Sequence, residues 1–229
     1  NIEFVECRGR GMNTIHDLGG MDGFTLMERD KGFPLKEQWE RDIWGLALAL
    51  WASRSWPSRA DIERLPPDLY LRMPYYAKWL QTQENSLVNR GMVTREELEN
   101  PTGPMQSAEA AGIQPASPEA VVEFFTSDSS YEVTATEEPR FSIGDEVVVK
   151  NEHPTWHTRV PRYVRGHSGV IYKHHGMHVF GDEVPESQHP GPQHLYTVMF
   201  LSKELWGDRG NKNDRIFAEL TEFHLEAVS

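Results

Sequence analysis

The apolar residues of this chain change their period once, and the change falls across a stretch with little to bury. Between Lys36 and Ser53, Trp39, Ile43, Leu46 and Leu50 recur at helical spacing, as do Trp44, Ala47 and Trp51. After Pro139 the period is two, in short runs punctuated by Gly, Pro and Asn. Residues 100–139, between them, are dominated by Pro, Ser, Thr, Ala and Glu. Helices followed by strands define the α+β class. The expected architecture is an N-terminal extended arm and a helical domain followed by a C-terminal SH3-like β-barrel. Its expected parts are residues 1–34 as an extension and arm, 35–100 as the helical domain, 101–139 as a linker with one short helix, and 140–229 as the barrel.

Local signals sharpen these assignments. The two apolar stripes over 36–53 predict a helix covered on most sides. Pro57 and Ser58 open a second helix running to Arg64, which Pro66 and Pro67 break. Pro74 opens a third, carrying Tyr75, Tyr76, Trp79, Leu80, Leu87 and Val88 and stopping near Gly91. Thr94 with Glu97 forms a capping box for a fourth, and Ser117 with Pro118 nucleates the short one. Strands are expected over 141–149 after a turn, then 169–172, 178–180, 195–200 and 215–220. Five short strands suggest a small barrel, and the Gly144-Asp145-Glu146-Val147 opening with the Arg165-Gly166 turn is common in SH3-like ones.

Composition removes several function classes. The net charge is −12, so neither a nucleic-acid nor an anionic-membrane surface is expected, because phosphates call for clustered Lys and Arg. No apolar stretch approaches the roughly 20 residues of a membrane span. Cys7 is the only cysteine, which excludes an internal disulfide and fits a cytoplasmic location. Residues 1–11 read differently from the rest of the chain, and Met12 is taken as the native start. Residues 12–34 are Gly-rich and aperiodic, with Ile15, Leu18, Met21 and Phe24 as isolated anchors, which suits an arm laid on a partner.

No catalytic cluster stands out. Histidines gather in the last third, among them His153, His157, His174, His175, His178, His189 and His194, but their spacing matches no ligand motif, and surface positions are the plainer reading. Asp182, Glu183 and Glu186 could pair for acid–base work, but exposed carboxylates are expected throughout so acidic a chain. Cys7 has no His or Asn organised around it, and the glycines at 19, 20 and 23 open no helix. Two arginines are more suggestive. Arg59 lies in Trp56-Pro57-Ser58-Arg59-Ala60 and Arg159 in His157-Thr158-Arg159-Val160-Pro161. A guanidinium is always charged and offers a rigid fork of donors for oxyanions. With no nucleophile or metal cluster of its own, the chain is expected to act on chemistry that a partner supplies. Tyr75 and Trp79 share a helix face and could wall a pocket, although core packing explains such aromatics equally well.

Taken in order, the motifs resemble the β subunit of nitrile hydratase. They are Ile15-His16-Asp17-Leu18-Gly19-Gly20-Met21-Asp22-Gly23-Phe24, Trp39-Glu40, Glu63-Arg64-Leu65, Pro74-Tyr75-Tyr76 with Trp79, His157-Thr158-Arg159 with Pro161, Tyr163, Arg165-Gly166 and Gly169, His194 to Val198, and Glu204-Leu205-Trp206-Gly207. The resemblance implies a two-subunit enzyme, usually an α2β2 heterotetramer, that hydrates small nitriles to amides. Its metal, cobalt(III) or iron(III), sits on the α subunit, where two ligand cysteines are oxidised to sulfenic and sulfinic acids. By motif position, Arg59 and Arg159 would hold those oxygens. His157 would support them from behind, and Tyr75, Trp79, Trp44, Ser55 and Ser58 would shape the substrate pocket. This chain itself would bind no metal. Trp79 resembles the cobalt type, whereas Lys78 stands where many cobalt-type members have His. The segment Ser55–Ser58 departs from the family pattern, which bears on substrate size. Two rivals remain. One is thiocyanate hydrolase, in which the two halves are separate polypeptides, unlike the unbroken 100–139 segment here. The other is a non-catalytic SH3-like metallochaperone or scaffold.

Overall fold

A computed structural model describes residues 35–52, 59–105, 116–127 and 130–228. These form two compact units, a helical one ending before residue 130 and a sheet beginning there.

In the helical unit, α1 (Gln38–Ala52) and α4 (Tyr75–Asn89) pack together. Between them in sequence lie α2 (Arg59–Glu63), which packs on α4, and α3 (Pro67–Arg72). The two prolines expected only to break a helix also start one. Pro66 caps α3 and Pro67 fills its first turn, where a missing N–H costs nothing. Pro74 likewise precedes α4, and Gly91 follows it at φ +70°. The capping box of α5 (Arg95–Glu99) is fully formed: Thr94 Oγ1 accepts from Glu97 N at 3.1 Å and Glu97 Oε2 accepts from Thr94 N at 2.7 Å. Ser117 caps α6 (Pro118–Thr126), whose Phe124 and Phe125 rings lie 6.3 and 6.2 Å from Trp51 on α1. Ile43 and Ala47 bury against this unit, but Trp39, Leu46 and Trp51 stay exposed, so α1 is less covered than its two stripes predict.

The second unit is one antiparallel sheet of β1 (Glu132–Val133), β2 (Glu146–Val149), β3 (Ser168–His178), β4 (Gln193–Leu201), β5 (Arg215–Thr221) and β6 (Leu225–Ala227). Its order is β5-β4-β3-β2-β6, with β1 pairing with the far end of β3. Among the described residues no pairing closes β5 onto β6. The runs expected as separate strands at 169–172 and 178 belong to one long strand. Register shifts against β4 and Gly176 at φ +85° let β3 bend without ending, which an apolar pattern reads as a gap. The period of two holds on the inner face, where Val147, Val149, Ile171, Tyr196, Val198, Phe200, Leu220 and Leu225 are essentially inaccessible. Each large side chain buried there contributes roughly 1.5–3 kcal/mol relative to exposure. No helix among the described residues is long and apolar enough to cross a membrane.

Candidate functional site

Of the residues the sequence singles out, the helical unit brings three rings together. Trp44 on α1 and Trp79 on α4 have centroids 5.6 Å apart, and Tyr75, one turn before Trp79, lies 5.5 Å from it. Tyr76 faces inward and is buried, while Tyr75 is exposed. Tyr75 and Trp79 thus combine apolar surface with an accessible phenol. Arg59 opens α2, and its Nε donates to Glu63 Oε1 at 3.2 Å one turn later. The two partners differ sharply in exposure, 71% for the Arg59 side chain and 9% for Glu63. A nearly buried carboxylate therefore holds the stem of the guanidinium, while both Nη groups remain uncommitted among the described residues. Ser55 and Ser58 lie outside the described residues.

The sheet unit carries His157 and Arg159 in the segment before β3. His157 is buried and its carbonyl accepts from Glu183 N at 3.0 Å. Arg159 N donates to Asp182 Oδ1 at 2.9 Å, and Thr158 Oγ1 donates to Asp182 Oδ2 at 2.5 Å while accepting from Val160 N at 3.2 Å. His224 Nε2 lies 3.0 Å from the same Oδ2, and its Nδ1 lies 2.9 Å from Thr221 Oγ1. Burial alone would push the Asp182 carboxyl up. The hydrogen bond and attraction of His224, with the bonds from Thr158 and Arg159 N, outweigh it and hold the carboxyl below its ordinary range. Arg165, also buried, donates from Nη2 to Val160 O at 2.9 Å. The backbone of 157–160 is thus tied down on both sides. By contrast the Arg159 side chain is exposed, and its guanidinium has no hydrogen bond or ion pair among the described residues.

Two expectations are corrected here. Asp182 is not an exposed carboxylate: it is 7% accessible and accepts three bonds. No local signal could have marked it, because Thr158 and His224 are 24 and 42 residues away. Nor are the histidines all surface groups, since His157, His194 and His224 are buried. His194 Nε2 lies 2.9 Å from Glu137 O, which can only accept, so that nitrogen carries the hydrogen. Nδ1 of a neutral His194 then accepts from His174 Nε2 at 3.0 Å. Burial first, then His194 and His175, depress the His174 pKa, against a smaller opposite pull from Glu222. No group of three His, Cys, Asp or Glu side chains placed to hold a metal ion occurs among the described residues.

Known proteins match this sequence along nearly the whole chain. Residues 12–127 match the family model of the nitrile hydratase β subunit N-terminal part, and residues 130–227 match that of its C-terminal part. The chain is 32% identical over 233 residues to the cobalt-containing nitrile hydratase subunit beta of Pseudonocardia thermophila, spanning 95% of this chain and 97% of that one. It is 35% identical over 225 residues to the nitrile hydratase subunit beta of Pseudomonas putida, spanning 94% and 99%. Thiocyanate hydrolase subunit alpha of Thiobacillus thioparus is 26% identical over 89 residues, spanning 38% of this chain and 71% of that one. The chain belongs to the nitrile hydratase β-subunit family.

Proposed function

We propose that this chain works as one subunit of a cytoplasmic nitrile hydratase, converting a small nitrile to its amide together with an α subunit in an α2β2 assembly. The observation that carries this reading is the unbroken match through both halves, at 32% and 35% identity to subunits of nearly the same length. The thiocyanate hydrolase match spans 89 residues and so supports a distant relation to that enzyme. Two relatives are named as cobalt-containing, which favours cobalt(III) over iron(III) for the partner's centre.

The described residues do not fit as holders of that metal. They do fit as donors to oxyanions placed beside it. The metal on the α subunit supplies Lewis acidity toward the nitrile or an oxygen nucleophile. Arg59 and Arg159 donate to the oxygens of the partner's oxidised cysteines, Arg59 from its two Nη groups while Glu63 holds its Nε, and Arg159 from a guanidinium with no hydrogen bond or ion pair among the described residues. Charge-assisted bonds of this kind are short and strong, and a planar fork suits them better than an ammonium. His157, two residues before Arg159, backs that segment. Tyr75, Trp79 and Trp44 form the apolar wall of the nitrile pocket, and Ser55 and Ser58 set its size limit. Residues 12–34 wrap the α subunit. In the sheet unit, the bend of β3 is what an SH3-like barrel requires at its corner. The domain limits follow the sequence reading to residue 100, with an arm to 34 and helices beyond it; the segment to 139 gives α6 to the helical unit and β1 to the sheet, and the barrel domain continues from there.

The test is nitrile hydration by the co-expressed complex with Arg59→Lys and Arg159→Lys, alongside metal content and assembly state. Each change should lower turnover by roughly 10²-fold or more, the scale of losing about 3 kcal/mol from a buried charged hydrogen bond. If both variants keep near-normal turnover and full metal occupancy, these residues do not have the role given them here.

A further inference from the structure

We propose that Asp182 is the positioning residue for Arg159, and that it acts by fixing the backbone of 157–160 rather than by touching any reacting group. The proposal rests on the reading of Arg159 above. Its structural basis is independent, because every contact lies within the sheet unit.

An arginine side chain has many rotatable bonds, so a freely moving backbone beneath it would spread the guanidinium over several ångströms. Here the anchor acts on the arginine's own backbone, with Arg159 N donating to Asp182 Oδ1 at 2.9 Å. The other carboxylate oxygen fixes the preceding residue through Thr158 Oγ1, and the adjacent Glu183 N takes the His157 carbonyl at 3.0 Å. Three successive residues, 157, 158 and 159, are therefore tied to two, 182 and 183. Gly181 completes the seat: a Cβ there would stand 3.5 Å from Arg159 Cγ, so the aliphatic stem lies against bare backbone. His224 holds Asp182 in turn from the far end of the chain, at 3.0 Å. A carboxylate suits this place because it can only accept when ionised, and all three of its partners can donate. Nothing in the cluster is accessible enough to meet substrate, since Thr158, Asp182 and His224 are all buried. Their work is pre-organisation of the exposed fork, and a misplacement of about 1 Å in such a group can cost on the order of 10²-fold in rate.

The experiment uses the co-expressed complex, with amide hydrogen exchange and steady-state kinetics measured on the same preparations. Asp182→Ala removes all three acceptor contacts. It should speed exchange at Arg159, Val160 and Glu183, and lower kcat by roughly 10- to 100-fold with KM changed less than about 2-fold. Asp182→Asn keeps an oxygen for Arg159 N, and its amide can donate to Thr158 Oγ1 and to a neutral His224, so it should recover most of what the alanine loses. In the Arg159→Lys background, Asp182→Ala should cost little further, because a residue acting through Arg159 has nothing left to position. If Asp182→Ala fails to assemble, Thr158→Val is read in its place, since it removes the two bonds of Thr158 Oγ1, to Asp182 Oδ2 and from Val160 N, at nearly constant shape. Unchanged exchange at Arg159, or losses from Asp182→Ala and Arg159→Lys that simply multiply, would overturn the proposal. Full turnover by Arg159→Lys alone would instead sink the reading of Arg159, while the exchange data still decide whether Asp182 anchors the segment.

Discussion

Gly169 is the position where the smallest possible substitution should do the most damage. It pairs across β3 with Val147 on β2, and its backbone is not in the left-handed region, so no strain argument protects it. What protects it is crowding. A Cβ at Gly169 would stand 2.6 Å from Val198 Cγ1, 2.9 Å from Phe200 Cε1 and 3.0 Å from Met199 O. Carbon atoms prefer about 3.5–4.0 Å, so the valine methyl would have to retreat by about 1 Å. It has nowhere to go: Val198 and Phe200 are both fully buried, and Val198 is β-branched with a stiff χ1. Met199 O belongs to backbone held by the β3–β4 pairing. Overpacking of this kind typically costs 1–3 kcal/mol, and with two core side chains and one backbone atom in the way we expect about 3 kcal/mol for Gly169→Ala. At 4–8 °C per kcal/mol for a unit of roughly a hundred residues, that is a drop in Tm of about 12–24 °C. Gly45→Ala on α1 is the matched control. Nothing lies within 4 Å of its Cβ, and Gly in a helix interior costs about 1 kcal/mol against Ala, so this variant should gain up to that amount. Calorimetry and urea unfolding of both variants make the comparison. If Gly169→Ala falls within about 0.5 kcal/mol of the parent, the range of an ordinary surface change, the close approach of β3 to the core is not as described.

Two further outcomes can be checked on the same preparations. Acidification should weaken the sheet unit in two steps. His174 has its folded pKa held below the ordinary 6.5 or so, so the unfolded chain takes up its proton first, and stability falls as pH drops from just below that value toward the folded one. Asp182 has a depressed folded pKa, so its contribution is intact above the unfolded value near 4 and is lost as pH falls further toward the folded pKa. Urea midpoints against pH for His174→Phe should lack the upper step alone; an upper step that survives this change would remove His174 as its source. Thr94→Ala should cost about 1–2 kcal/mol through loss of the α5 cap, with buried Glu97 losing a donor as well, and Thr94→Ser should restore most of it. An alanine variant as stable as the parent would show that the cap contributes nothing.

The apolar face of α1 bears on the proposed assembly. Trp39, Leu46 and Trp51 are 40–45% exposed on a single helix. Scattered surface hydrophobics are ordinary, and these three do not share one face: Trp39 and Leu46 lie on one stripe, Trp51 on the other, where its ring meets Phe124 and Phe125 of α6. In the proposed assembly a partner would draw on exposed apolar residues of this kind, and the helical period of these residues holds whether this chain or a neighbour covers them. The sequence pattern therefore reads the stripes of α1 correctly, while the helix is less covered than those stripes predict.

That distinction describes where reading from residues works and where it stops. The helix starts at Pro74, Thr94 and Ser117 were legible because each depends on side chains within three or four residues of the backbone they serve. The inward face of β2, β4 and β5 was legible because alternation is a local property. The bend that joins 168–172 to 178 was not, because a bulge breaks the alternation that defines a strand. Arg59 and Arg159 could be picked out by guanidinium chemistry and by resemblance, but their surroundings could not. Glu63 lies a helical turn from Arg59 and was in reach of the i,i+4 rule. Asp182 was not, since what sets it apart from the other acidic residues is two partners distant in sequence, Thr158 in a loop and His224 in a short helical turn. In a chain of net charge −12, residue type alone says nothing about which carboxylate is buried. Only the packing that withdraws Asp182 from water, while supplying donors in compensation, turns an acid expected to be exposed into the anchor of the Arg159 backbone.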